Sequence, residues 1–552
     1  MAQTEVSTPT FRSTARLVSL EVIVLDKKGA PITNLTKDSF TVLENGTAQK
    51  ITSFEAPAER RPTKSQSLGQ NVYSNLDRGA ESRPLTIILL DALNTDVANQ
   101  LPIRREMLRY VSRLKLDENY VAIYLLSNSF RLLQPFTGDP GRLKRALMAV
   151  VPQSAVLAGS DIIDNKAQIE AQLATDNEPT MVAMVERMRA FEQEQTATST
   201  DARVAQTLEA MRSIARATSG YSGRKNLLWV SGGFPVALFP DRAPSSVSTS
   251  PRPGDVAQIN ATDASTVLRS YGVQIQLTSN ALADSHVAIY PVDAKMLVGY
   301  ASADASQSGR EDRGRVNKGT DYADELARSS FRLRNTQATM LEVAEETGGR
   351  AFMNTNDIAN SLTIGTEEAK AAYMMAYAPQ SQKWDGKFRS LHVKVNDPAL
   401  KVRHRPGYYA FDPSKVSSRQ KEDHFKSAVA DPLPATEVTF LAHALPAVNS
   451  KLGLEFLVPS NQIVFERAAE EKRHCEIDFV VTAVSADGKV LSMDSKTVTA
   501  DFNPAVFSSV ESKGIPFRMQ VDTKLGTESY RLLVRDKLSG RVGRIDIPKQ
   551  PF

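Results

Sequence analysis

At 552 residues the chain is too long for one hydrophobic core, and two to four domains are expected. Its composition, 41% hydrophobic and 24% charged with a net charge of +4, is that of an ordinary globular protein; no basic run is interleaved with aromatics, so nucleic acid is not an expected partner. No stretch approaches the ~20 apolar residues of a membrane span. Cys475 is the only cysteine, which excludes an intramolecular disulfide and a thiolate metal cluster.

The opening "MAQTEVSTPTF" is polar, with Ala-Gln directly after Met, and leads to the expectation of a secreted or extracytoplasmic chain whose leader has been removed. Val18, Leu20, Val22 and Val24 then alternate at the period of a half-buried strand. In "DSFTVLENGTAQKITSFE", Asn45-Gly46 lies between two strand-like runs and supplies the positive φ angles of a type I′ hairpin. Residues 57–84 are polar and read as a linker.

The pattern changes at "LTIILLDALNTDVAN", where an apolar strand delivers Asp91 to its carboxyl end. Ile103, Met107, Tyr110, Val111 and Leu114 follow at helical spacing. "YVAIYLLS" is a further strand, and "DPGRLKRALMAVV" a helix capped by Asp139 with Pro140 in its first turn. The segment 160–219, rich in Gln, Glu, Ala, Met and Arg, is expected to be mostly helical, with Met181, Val185, Met188 and Phe191 at near-helical spacing. That apolar face is expected to pack on the body of the domain, the alternative being a surface for a protein partner. "KNLLWVSGGFP", "NALADSHVAIYPVDA", "MLEVAEETGGRAFMN" and "AAYMMAYAP" continue the alternation of strand and helix.

Apolar strands alternating with amphipathic helices imply a mostly parallel sheet covered on both faces. "FRSLHVKV" and "KVRHRPGYYAF" are read as strands that pair with the N-terminal β segment, and 436–552 as an antiparallel sandwich joined by Asp-Gly and Ser-Gly turns. The expected organisation is an N-terminal β segment (1–56), a linker (57–84), an α/β domain (85–384), strands completing a small sandwich (385–411), a second linker (412–435) and a C-terminal β-sandwich (436–552).

Residues ~17–411 resemble the von Willebrand factor A-related family typified by acidobacterial secreted proteins. The motifs carrying the resemblance are "VIVLDKKGAPITNLTKDSFTVLENGTAQKITSF", "ILLDALNT", "GRKNLLWVSGGFP", "HVAIYPVDA", "LEVAEETGGRAF" and "VRHRPGYY", in that order. The fold class implied is α/β, a doubly wound, mostly parallel sheet inserted in a small β-sandwich. The resemblance also implies a metal-ion-dependent adhesion site, with Asp-x-Ser-x-Ser after the first strand, a Thr on a second loop and an Asp after a later strand. Such a site offers oxygen ligands to a hard divalent cation.

Laid on that pattern, Asp91 matches the first Asp and Thr95 the last Ser. Leu93 stands where the middle Ser is expected, Ser231 replaces the Thr and Gly232 the second Asp, while Ser154 and Ser160 both remain candidates for the second-loop hydroxyl. Asp91, Asn94 and Thr95 are therefore the candidate ligands of a degenerate site; no cofactor is required, and Mg²⁺ or Ca²⁺ is the cation that would suit it. The alternative role for Asp91 and Asn94 is to cap the following helix or tie down the loop through backbone N–H groups.

Chemistry of other kinds is not encoded in a recognisable motif. The histidines do not form H-E-x-x-H, "GYSGRK" around Ser222 lacks the last Gly of a nucleophile elbow, and no Lys-Ser/Thr follows "VSGGFP". His474 and Cys475 are strand neighbours that point to opposite faces. Met374 and Met375 are expected to fill core, and Arg403, His404 and Arg405 to form a solvated edge. The expectation is a secreted, non-enzymatic protein-interaction module of adhesion type. It would bind a protein partner through loops bearing Asp91, Asn94, Thr95, Ser231 and Gly232; a true Mg²⁺- or Ca²⁺-dependent adhesion domain and a hydrolase are the alternatives.

Overall fold

The computed structural model describes residues 17–57, 68–77, 79–80, 84–114, 119–153, 179–234, 271–294, 337–355, 357–381, 383–412, 416–468 and 471–549, without the side chains of 179–186 and 188–197. Ser154, Ser160 and the expected helix before residue 179 lie outside these, as do the side chains of Met181, Val185, Met188 and Phe191.

The first strands are β1 (Val18–Leu25), β2 (Phe40–Glu44), β3 (Thr47–Gln49) and β4 (Ile51–Glu55), followed by the short β5 (Val72–Ser74). Asn45 and Gly46, with φ of 47° and 81°, make the tight turn that returns β3 on β2. A continuous apolar run then forms β6 (Leu85–Asp91), every residue of which is buried. After it come α1 (Val97–Arg113), β7 (Tyr120–Leu126), β8 (Phe130–Thr137) and α2 (Pro140–Met148), whose first two free N–H groups are accepted by the Asp139 carboxylate. Next are α3 (Pro179–Thr218), β9 (Lys225–Ser231), α4 (Gly272–Asp284), β10 (Val287–Asp293), α5 (337–346) and α6 (Ile358–Lys370).

These elements form a five-stranded sheet in the order β10-β9-β6-β7-β8, parallel except for β8. One face packs on α3, α4 and α5 through Leu208, Met211, Ile214, Leu282 and Met340. The other packs on α1, α2 and α6 through Ile103, Met107, Leu143, Leu147 and Leu362. Burial on both faces explains why β6 and β9 carry apolar runs instead of alternation. Gly349 is required for closeness: a Cβ there would stand 1.9 Å from the carbonyl oxygen of Ile289.

Beyond it lie β11 (Tyr373–Tyr377), β12 (Phe388–Val395), β13 (Lys401–Arg403) and β14 (Gly407–Tyr409). Two four-stranded antiparallel sheets, β13-β1-β11-β4 and β14-β12-β2-β3, enclose a core of Leu20, Val22, Val42, Tyr373, Met375 and Val393. The buried Glu44 carboxylate accepts hydrogen bonds from Tyr377 at 2.6 Å and Tyr408 at 3.1 Å.

The remaining elements are α7 (Ser418–Ala430), β15 (Ala435–Thr436), β16 (Leu441–Val448), β17 (Lys451–Val458), β18 (Glu466–Arg467), β19 (Arg473–Val484), β20 (Val490–Phe502), α8 (Pro504–Lys513), β21 (Ile515–Asp522), β22 (Ser529–Asp536) and β23 (Val542–Pro548). A sheet ordered β15-β23-β22-β19-β18, with β20 also on β19, faces β21-β17-β16-β5. Cys475 lies in the core between them, its thiol pushed up to about 11 by burial, while its neighbour His474 turns away to pair with Asp501 at 2.8 Å.

The expected fold class is corrected by this topology. Among the described residues, strand residues outnumber helical ones and four of the five sheets contain antiparallel pairs alone, so an α/β protein on a doubly wound, mostly parallel sheet is not what the chain forms. The reason lies in the connections. Parallel pairing needs a crossover, and among the described residues the parallel ladders join β10, β9, β6 and β7, with one isolated parallel bridge from Val292 to Phe352, whereas the other strands are joined by hairpins or return from afar in antiparallel sense. Three further expectations change. "AAYMMAYAP" leaves the helix-and-strand body and pairs with β1 and β4. The expected linker 57–84 supplies β5, which pairs with β16. Arg403 and Arg405 are not a solvated edge: Arg403 pairs with Glu368, and the buried Arg405 donates to the Ser19 carbonyl at 2.8 Å.

Candidate functional site at the carboxyl ends of the parallel strands

Parallel register sets Asp91 at the end of β6 directly beside Ser231 at the end of β9. Because side chains alternate along a strand, Trp229 and Ser231 project to one face, and both meet the Asp91 carboxylate there. Oδ2 of Asp91 accepts from Ser231 Oγ at 2.8 Å, Asn94 Nδ2 at 2.9 Å and Trp229 Nε1 at 3.0 Å. Oδ1 accepts the backbone N–H of Asn94 at 3.0 Å. The loop Ala92–Asp96 is thereby folded back on the strand that precedes it.

Thr95 closes the loop from the other side. Its hydroxyl donates to the Asp91 carbonyl and accepts the Gly232 N–H at 2.8 Å. Gly232 is needed for space, since a Cβ there would lie 2.7 Å from the Asn94 carbonyl oxygen. The helix α3 seals the arrangement with two side chains one turn apart. Thr207 Oγ1 accepts from Asn94 Nδ2 at 2.9 Å, and Arg203 Nε donates to Asn94 Oδ1 at 3.1 Å.

Asp91, Asn94, Thr95, Ser231 and Gly232, drawn from the sequence as one group, do stand together, and all are buried. Trp229, Arg203 and Thr207 were not anticipated. Trp229 was discoverable, since it lies two residues before Ser231 on the same strand face. Arg203 and Thr207 lie more than 100 residues from Asn94 along the chain and leave no local signal.

Burial pushes the Asp91 carboxyl above the ordinary range, and its four hydrogen bonds work against that shift. Desolvation lowers the Arg203 guanidinium, opposed by the charges of Asp91 and Asp96. This set of residues does not fit Mg²⁺ or Ca²⁺. One carboxylate is present, both of its oxygens are occupied by N–H and O–H donors, the side-chain Oδ1 of Asn94 is held by an arginine, and the Thr95 hydroxyl is bonded on both sides. A divalent ion would have to displace these donors and sit beside a cation. Asp91, Asn94 and Thr95 are thus not arranged as ligands. Among the described residues no group of three or more His, Cys, Asp or Glu is placed to hold a metal.

Exposed residues begin one step beyond the buried loop. Asp96, Val97 and Ala98 at the start of α1 are exposed, as is Leu101 one turn on, with Asn128 and Ser129 at the end of β7. Histidines elsewhere serve the fold: His286 bonds to Glu21, His424 to Glu437 at 2.8 Å, His443 to Glu455 at 3.3 Å, and His404 accepts the Val393 N–H at 3.1 Å.

No family model matches the chain, and no curated protein matches it. Among solved structures, an aerotolerance-related membrane protein from Bacteroides fragilis is similar at 12% identity over 52% of this chain and 99% of that one, with a TM-score of 0.25. The conserved hypothetical protein BatB from Bacteroides thetaiotaomicron is similar at 13% identity over 52% and 98%, with a TM-score of 0.25. The pilus adhesin SpaC from Lactobacillus rhamnosus GG, in its open conformation, shows 7% identity over 93% and 72%, with a TM-score of 0.27. Likeness at these scores carries no argument about activity.

Proposed function

We propose that this chain is a non-enzymatic protein-interaction module of adhesion type, working outside the cytoplasm and binding its partner without a metal ion. The observation that carries the reading is the filled hydrogen-bond shell of Asp91: the group best placed to hold a cation instead fastens the loop to two strands and a helix. A loop held this way presents the exposed start of α1 in a fixed shape, and preorganisation lowers the entropy lost on binding. The five buried residues act as the frame, and contact falls to Asp96, Val97 and Leu101.

No helix among the described residues is long and apolar enough to cross a membrane. The extracytoplasmic placement rests on the resemblance.

The test is capture of proteins from envelope and medium by the immobilised chain, with and without chelator, beside Val97→Asp and Asp96→Lys. A partner retained in chelator and lost on both substitutions supports the reading. Capture that requires a divalent cation, or that ignores both substitutions, contradicts it.

A further inference from the structure

The strand β20 pairs with β19 along one edge, and among the described residues its other edge meets no strand. Thirteen residues long, it is exposed from Val490 to Thr497 apart from Ser492, including Val490, Leu491 and Met493 at 48%, 37% and 53% of their surface. A long open edge is a template for another strand, and charges along it ordinarily repel arbitrary partners.

The charges on this edge have a particular order. Lys489, Asp494, Lys496 and Asp501 are the charged residues from 489 to 501, and they lie at −6, −1, +1 and +6 from Ser495 with signs plus, minus, plus, minus. The pattern inverts about Ser495. Two antiparallel copies aligned on that residue would set Asp494 opposite Lys496 twice, at the centre of the strand. Among registers that keep odd positions opposite odd, no other sets opposite charges of the strand, Asp494, Lys496 and Asp501, against each other. Backbone geometry agrees, because reflection about Ser495 carries odd positions onto odd positions, so groups pointing outward on one copy meet outward groups on the other. The ladder with β19 is regular from Ser492 to Phe502; the bulge at Leu491 leaves the central pairs undisturbed and takes Lys489, just before the strand, out of this register.

We propose that the chain pairs with a second copy of itself along β20, in antiparallel register centred on Ser495, joining two C-terminal sheets across a two-fold axis. Opposite charges facing each other across the strands favour this pairing, and like charges in shifted registers disfavour the alternatives.

Sedimentation equilibrium of the full chain over a range of concentrations tests it, with thermal melts as a check that the variants fold. The wild type is expected to dimerise, and salt to weaken the dimer. Lys496→Asp, which sets one carboxylate against another at each meeting with Asp494, should raise the dissociation constant at least tenfold. The double exchange Asp494→Lys with Lys496→Asp restores opposite pairs and should restore the dimer. A monomer at every concentration, a dimer indifferent to Lys496→Asp, or a double exchange that fails to restore pairing overturns the proposal.

Discussion

Glu21 and Asp91 are both buried carboxylates, yet their surroundings push them in opposite directions. Burial alone would raise Glu21, but the hydrogen bond and charge of His286, with the Arg224 guanidinium 3.7 Å away, hold it at about 2. Asp91 has only polar N–H and O–H groups in contact, and burial keeps it raised. Since the Glu21 carboxyl is lowered on folding, it contributes stability above the ordinary glutamate range of 4.5, and that contribution is lost as pH falls from there toward about 2. Denaturant melts should therefore find wild type more stable than Glu21→Gln near neutrality, with the gap closing through that acid window; a gap independent of pH would contradict it. At this scale the sequence was informative about position: Asp91 at a strand end, then Asn94 and Thr95, with Ser231 and Gly232 ending a second strand. It was silent about Arg203 and Thr207, because they reach Asn94 from a helix more than 100 residues away along the chain.

Elements were legible where one local rule governed them. Asn45-Gly46 turns as its positive φ angles require, and Asp139 caps α2. Type of pairing was less legible, because an apolar run looks the same in a parallel sheet and in a sandwich core. Tyr373–Tyr377 carries the half-buried alternation of an antiparallel strand and joins β1, although its place after a helix suggested another parallel strand. The strand β5 escaped because it has three residues in a polar stretch. What fixes that segment is Asn75, whose side chain donates to the carbonyls of Ala435 at 2.7 Å and Val438 at 2.8 Å and accepts the Phe440 N–H at 3.0 Å. Asn75→Ala leaves those buried backbone groups unpaired and should cost about 2–4 kcal/mol in unfolding free energy. Loss below about 0.5 kcal/mol in a urea melt, the range of an ordinary surface change, would show that the contacts are dispensable.

Across the molecule, the same helix that seals the Asp91 loop also reaches the C-terminal sandwich. Arg216, near the end of α3, pairs with the buried Asp431 at 2.7 Å, and Gly220 lies so near Thr436 that a Cβ would stand 2.6 Å from its carbonyl oxygen. The site, the helix and the sandwich are thus physically continuous. The class of the whole could not be read from its most conspicuous strands, since the antiparallel sheets that dominate it are built from shorter, weaker signals.

Thermal unfolding of wild type and Asp91→Ala in Mg²⁺, in Ca²⁺ and in chelator puts the filled shell of Asp91 to the most direct test. The expected result is a wild-type melting temperature unchanged by either ion, and a lowered one for Asp91→Ala in all three conditions, because Trp229, Ser231 and Asn94 lose a shared acceptor. A wild-type melting temperature raised by Mg²⁺ or Ca²⁺, with the increase abolished by Asp91→Ala, would contradict it.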